Sequence, residues 1–140
     1  TNPGAAFTAI QKTASGGELS RFLLALKVAL ANDNPLPTWV FDEVDAGVGG
    51  ATAEAVGKRL QRLAENVQVL VITHSPQVAA KGADHLRVAK SEAGKGQMKT
   101  TVTPLDDNER RLEVARMLAG DTVTPEAEAA AAALLGGGEV

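Results

Sequence analysis

Two short apolar runs constrain the fold of this chain more than any other feature. Trp39-Val40-Phe41 is continuously apolar and stops abruptly at Asp42-Glu43, and Val67–Thr73 (VQVLVIT), apolar apart from Gln68 and Thr73, is a second strand-like run that stops at His74. Short apolar runs without strict alternation read as strands buried on both faces of a parallel sheet. Between them Ala53, Val56, Leu60 and Leu63 recur at helical spacing, which predicts a helix from about Ala51 to Glu65 with one apolar face. Strand, helix and strand at this spacing read as a right-handed parallel βαβ unit, and so as an α/β protein.

The flanking segments complete the pattern. Phe7–Gln11 (FTAIQ) alternates as a short strand, and Leu19, Phe22, Leu23, Leu26 and Leu30 predict a helix through Ala31 with a wide buried face. Asn32–Pro37 breaks that helix. Ser75-Pro76 opens a short helix that stops near Gly82, with proline in the first turn. Leu86–Lys90 and Met98–Thr103 pair as a hairpin across the polar SEAGKGQ segment. Two further helices are expected, from Asn108 to Leu118 and from Thr124-Pro125-Glu126 to Gly136-Gly137-Gly138; the Ala129–Ala133 run favours helix by propensity alone. Neither a repeat nor a linker interrupts the chain, so residues 1–140 are read as one domain. The turn-type start Thr1-Asn2-Pro3-Gly4, with no hydrophobic pattern before it, is expected to follow on from an earlier segment.

Composition removes several function classes. At 140 residues the chain can bury about 68–70% of its unfolded surface without disulfides. With no cysteine, thiolate zinc sites and cysteine nucleophiles are excluded, and His74 and His85 lack a metal-ligand spacing. No apolar run reaches the ~18 residues of a membrane span. The net charge of -3 argues against strong phosphate-backbone binding by the chain as a whole, and Phe7, Phe22, Trp39 and Phe41 are too few for a base-stacking platform.

Four features carry chemistry. Ser15-Gly16-Gly17-Glu18 stands at the mouth of a helix, where bare glycine amides and the serine hydroxyl can meet an anion; Ser15 with Glu18 is equally a plain capping box. Asp42-Glu43 ends a strand, and in open α/β sheets ligands sit beyond the carboxyl ends of strands. There Asp42 can hold Mg²⁺ while Glu43 orients and deprotonates a water, although strands often end in acidic residues simply on reaching solvent. The loop from Asp45 through Gly47, Gly49 and Gly50 permits close approach by a partner chain, or is a plain flexible turn. His74, at the end of the second strand, can donate to a phosphate oxygen or to the attacking water; His85 is read as a surface or capping residue. No G-x-x-x-x-G-K-S/T occurs, and around Gly57-Lys58-Arg59 Thr52 stands where the first glycine would be. The water-activating half of a P-loop site is present without the nucleotide-gripping half.

In this order (Ser-Gly-Gly-Glu, strand plus Asp-Glu, glycine loop, strand plus His) the chain resembles the C-terminal half of an ABC-type ATPase head, with signature, Walker B, D-loop and H-loop. Ala14–Ala31, Phe41–Gly50 (FDEVDAGVGG), Ile72–Ala80 (ITHSPQVAA) and Glu113–Ala127 resemble the RecN family of bacterial DNA-repair ATPases, relatives of the SMC proteins. The fold this implies is the C-terminal lobe of a P-loop NTPase head: a parallel βαβ core plus a hairpin and C-terminal helices. The resemblance implies that Ser15, Gly16, Gly17 and Glu18 meet ATP held by an opposing head. Asp42 helps to hold Mg²⁺, Glu43 is the catalytic base, and His74 senses the γ-phosphate. Asp45, Gly47, Gly49 and Gly50 then cross the interface between heads. It further implies a Walker A half of the same head, pairing with a second copy, DNA as a partner, no membrane, and a cytoplasmic, nucleoid-associated location. Val44 and the loop glycines depart from the pattern of transporter subunits, the nearest rival reading; a non-catalytic interaction module is the other. Lys58, Arg59, Arg62, Arg110, Arg111 and Arg116 are read as solvated helix faces as readily as DNA contacts.

Overall fold

The computed structural model describes residues 38–92 and 97–136, together with Ala25, which is helical and exposed. The strand expected at Phe7–Gln11, the Ser15–Glu18 turn, the remainder of the Leu19–Ala31 helix, the Asn32–Pro37 loop and the terminal Gly137-Gly138 lie outside the described residues. The chain divides into two compact units, Thr1–Thr73 and His74–Val140.

In the first unit, β1 (Thr38–Asp42) and β2 (Gln68–Ile72) pair in parallel, with Thr38 opposite Gln68 and Asp42 opposite Ile72. The Thr38 hydroxyl donates to Gln68 Oε1 at the entry edge (2.6 Å). Between the strands runs α1 (Gly50–Ala64), which buries Ala53, Val56, Gly57, Leu60 and Leu63 and packs on β2. This is the βαβ unit expected, and the four apolar positions read from the spacing are those that face inward. At about 1.5–3 kcal/mol for each buried Val or Leu, Val56, Leu60 and Leu63 together contribute roughly 5–9 kcal/mol, an upper figure because unfolded chains already bury part of this surface.

The expectation of strands buried on both faces is corrected. Burial alternates strictly along β1: Trp39 and Phe41 are buried, their rings tilted at 54° with centroids 6.3 Å apart, while Val40 between them is 53% exposed. On β2, Leu70 and Ile72 are 46% and 48% exposed, on the same face as Val40 by register. A strand is buried on both faces only when a layer lies on each. Among the described residues of this unit, α1 is the layer on the sheet, and it covers one side. On the second side Val40, Leu70 and Ile72 are exposed, with no covering layer among the described residues.

In the second unit, α2 (Pro76–Ala79) is a single turn that begins at Ser75 and carries proline in its first turn, as expected. β3 (Leu86–Glu92) and β4 (Met98–Pro104) form the antiparallel hairpin, with Leu86 opposite Pro104. α3 (Asp107–Ala119) and α4 (Pro125–Gly136) pack together around Val114, Ala115 and Ala131, all fully buried. The start of α3 is held by a capping box: Asp106 accepts from the Glu109 N–H (2.8 Å), and the Glu109 carboxylate accepts from the Asp106 N–H (3.0 Å). Thr124 Oγ1 accepts from the Ala127 N–H at the start of α4 (3.3 Å).

Glu113 is the buried acid of this unit. Its carboxylate accepts two hydrogen bonds from Arg116 (3.1 and 2.6 Å), and this pairing holds its pKa below the usual glutamate range against the opposing effect of burial. A depressed folded-state pKa gives stability that is present above the unfolded carboxyl pKa of ~4.3 and is lost as pH falls through the lower folded value. Glu113→Gln is therefore expected to lower stability at pH 7, with the gap to wild type closing below about pH 4. Urea unfolding across that range checks it, and a gap independent of pH would contradict the pairing.

Candidate functional site

The exit edge of the parallel pair is the candidate site, and the backbone builds it. The pairing of β1 with β2 runs one residue past the strand: the Glu43 N–H donates to the Ile72 carbonyl (3.3 Å). Glu43 then takes φ +52°, the left-handed region. For an L-residue with a Cβ that conformation costs about 1–2 kcal/mol, and such residues cluster at functional sites. The burial of the α1 face exceeds this cost severalfold, so the fold tolerates it. The turn leaves the Glu43 side chain exposed, next to the exposed Asp42 at the strand end. Both carboxylates expected to act at this edge thus reach solvent at the carboxyl end of a parallel strand, where a ligand of an α/β sheet sits.

The following loop is ordered by its own hydrogen bonds. The Ala46 N–H donates to the Glu43 carbonyl (3.0 Å) and the Val48 N–H to the Asp45 carbonyl (3.2 Å), giving two successive turns. Gly47 and Gly50 have φ of +71° and +53°, so at these two positions the glycines serve conformation. A Cβ at either would meet nothing within 4 Å, so the loop surface is open. Val44 is buried and anchors the loop root.

Asp45, which the resemblance implies crosses an interface between heads with the loop glycines, is buried. It is 8% exposed, and Thr73 Oγ1 donates a hydrogen bond to its Oδ2. Thr73 was not singled out in the sequence. It ends the run VQVLVIT one residue before His74, and a hydroxyl there is the signal that could have flagged it. Asp45 and Thr73 tie the glycine loop to the end of β2, so the Asp42-Glu43 step, the loop root and the exit of β2 form one hydrogen-bonded edge. His74 follows Thr73 directly in the chain, opens the second unit and is exposed. Ser15, Gly16, Gly17 and Glu18 lie outside the described residues.

For a divalent cation the available protein donor is the Asp42 carboxylate, with Glu43 beside it. No group of three or more His, Cys, Asp or Glu able to hold a metal occurs among the described residues. Two adjacent exposed carboxylates are the donor type that suits Mg²⁺, which is held by one or two carboxylates plus substrate phosphates and keeps several waters.

Sequence reasoning also missed a cluster in the second unit. Arg110, read as a solvated helix face as readily as a DNA contact, is half-buried, and its guanidinium donates to three backbone carbonyls, those of Ala83 (2.9 Å), Ala80 (3.1 Å) and Gly82. Arg116, read the same way, pairs with Glu113. His85 is half-buried with its Nδ1 enclosed; burial first, and then the charge of Arg110, hold its pKa below the usual histidine range. Lys58 keeps the expected character, exposed and paired with Glu54 one turn away (2.9 Å).

The comparisons with known proteins agree with this architecture. The profile of the RecF/RecN/SMC N terminal domain matches residues 8–97. The SMC head domain of Thermotoga maritima superposes with a TM-score of 0.53 at 28% identity, covering 74% of this chain and 37% of that one. The Smc head domain with a coiled coil and joint from Pyrococcus yayanosii gives 0.61 at 24% identity, over 74% and 19%. An SMC ATPase solved in work on ATP-driven dimerization and DNA stimulated activation gives 0.59 at 22% identity, over 85% and 70%. The fold is thus that of an SMC-type ATPase head, a P-loop NTPase, and the chain belongs to the RecF/RecN/SMC family. Within that family it is 50% identical over 96% of its length to the DNA repair protein RecN of Rickettsia felis and 51% identical over 96% to that of Xylella fastidiosa. It spans about a quarter of the length of these relatives (24% of each).

The hydrogen bond between Thr73 and Asp45 yields a direct test. Thr73→Val is expected to cost about 1–3 kcal/mol by leaving a buried carboxylate short of a donor. Denaturant unfolding of the variant measures this, and unchanged stability would show that the bond does not hold the loop.

Proposed function

We propose that this chain is the C-terminal lobe of a RecN-like ATPase head acting in DNA double-strand break repair and recombination, and that both of its compact units belong to that lobe. On this reading it works with the Walker A half of the same head and pairs with a second head around ATP. One observation carries the proposal: the Asp42-Glu43 step and the root of the glycine loop are hydrogen-bonded to the end of β2, one residue before His74.

Each residue then has a physical task. Glu43, exposed and held in a left-handed turn, accepts the proton of the attacking water, a role that suits a carboxylate free to reach substrate. Asp42 holds the cation, and Mg²⁺ when bound neutralises charge developing on the transferred phosphoryl oxygens. His74 donates a hydrogen bond to the γ-phosphate. Ser15, Gly16, Gly17 and Glu18 receive the γ-phosphate of the opposing head at a helix start, where amides and serine hydroxyl offer donors. Gly47, Gly49 and Gly50, with open space around them, form the strip on which the second head lies, while buried Asp45 braces that strip from within.

Binding and hydrolysis are thereby divided among segments, and phosphoryl transfer tolerates this because it requires positioning and electrostatics more than covalent chemistry from the protein. ATP favours the paired state by contacts that exist only across the two heads, and its hydrolysis removes them. We place the protein in the cytoplasm on the nucleoid, with DNA as a partner of the assembled protein. Among the described residues no helix is long and apolar enough to cross a membrane.

The test is ATP turnover by this chain combined with the Walker A half, against this chain alone. The combination is expected to hydrolyse ATP, and Glu43→Gln to slow it by roughly 10²–10⁴ while ATP binding is retained. Turnover unaffected by Glu43→Gln would remove Glu43 from the role of base. Ser15→Arg is expected to leave ATP binding by a single head intact and to abolish ATP-dependent pairing in sedimentation; normal pairing would contradict the assignment in trans.

A further inference from the structure

We propose that Arg110 is a positioning residue for His74, clamping the far end of the helical turn that His74 precedes. The inference rests on the role proposed for His74 and concerns how this chain fixes that side chain.

The turn cannot hold itself. α2 has four residues, far below the length at which a helix is stable alone. Its hydrogen bonds form one short run: the Val78 and Ala79 N–H groups donate to the Ser75 carbonyl, Ala80 to Pro76, Lys81 to Val78 and Gly82 to Ala79. The run begins one residue after His74. At its other end carbonyls are left over, as at any helix terminus, and they need donors from elsewhere.

Arg110 supplies those donors. Its Nη1 donates to the Ala83 carbonyl (2.9 Å), and its Nη2 donates to those of Ala80 (3.1 Å) and Gly82. A planar guanidinium can gather three carbonyls from one short segment; an ammonium on a flexible stem has no such fixed fork. The backbone must fold tightly to present them, and Gly82 allows it: a Cβ there would stand 3.1 Å from the Asp84 carbonyl.

The base of the clamp is rigid. Arg110 lies in the first turn of α3, where its own N–H donates to the Asp106 carbonyl (2.8 Å), and the Asp106–Glu109 capping box fixes that turn. A second tie runs parallel to the clamp, from the Leu105 N–H to the His85 carbonyl (3.0 Å). Residues 80–85 are thus fastened to residues 105–110 at two places. Burial first, and then the charge of Arg110, hold the His85 pKa below the usual histidine range beside this second tie. Loosening Arg110 removes the side-chain tie at the end of the Ser75–Gly82 run, and on this proposal His74, which directly precedes that run, loses part of its fixed orientation.

The test uses this chain for structure and its combination with the Walker A half for activity. In the chain alone, Arg110→Met is expected to broaden or split the His74 ring resonance in NMR and to raise amide exchange at Ala80–Gly82, with Arg110→Lys intermediate. In the combination, Arg110→Met is expected to lower kcat on the order of 10- to 100-fold, as small misplacements near a reaction centre do, with KM for ATP nearly unchanged. An unaltered His74 resonance, or KM rising with kcat intact, overturns the proposal. Should Arg110→Met fail to fold, Arg110→Lys decides by the same two readouts. Absence of hydrolysis by the unsubstituted combination would sink the ATPase reading and this inference together, whereas hydrolysis that is lost in Glu43→Gln and untouched in both Arg110 variants sinks the inference alone.

Discussion

Parallel pairing between β1 and β2 is the constraint on which the site depends. Parallel strands end at the same edge of a sheet, so two polar segments separated by a helix and more than 20 residues of chain emerge side by side. Here the pairing continues past the strands, through the Glu43 N–H to the Ile72 carbonyl and through Thr73 to Asp45. The first bond fixes where the acidic step begins, and the second fixes the loop behind it. Both bonds are among the contacts that hold the left-handed turn at Glu43 against its cost.

That cost makes physical sense of the edge as a working surface. A glutamate in the left-handed region is retained only where the surroundings over-determine it, and the surroundings here are a ladder hydrogen bond, two turns and a buried aspartate. The energy comes from the apolar stripe of α1, which is worth several times the strain. A packed helix on one side of the sheet supports an exposed, strained acid at its end. The opposite side, with Val40, Leu70 and Ile72 uncovered, is the side on which the chain supplies no layer among its described residues.

The second unit applies a related economy. Its hairpin is exposed on both faces, and its buried apolar side chains among the described residues are few and small: Val78, Ala80, Val114, Ala115 and Ala131. With so little apolar burial, polar contacts set the geometry: the capping box at Asp106, the Glu113–Arg116 pair, and the fan of bonds from Arg110 to the segment after His74.

The order of elements and the chemistry at their ends were legible in the sequence, because strand and helix periods and the residues that break them are local properties. WVF before Asp42-Glu43, the helical spacing of Val56, Leu60 and Leu63, and Pro76 in a first turn all carry their meaning within a few residues. Three things were decided only by tertiary structure. Whether Val40 is buried depends on a second layer, and an apolar side chain does not announce that layer. Whether Asp45 is buried depends on the folded loop and on a threonine 28 positions away that bonds to it. Whether Arg110 is solvated or holds three carbonyls depends on a turn 27 to 30 positions earlier. A charged side chain on a helix reads the same in sequence in either case, because what separates the two is the distance to backbone groups that only the folded chain brings within reach.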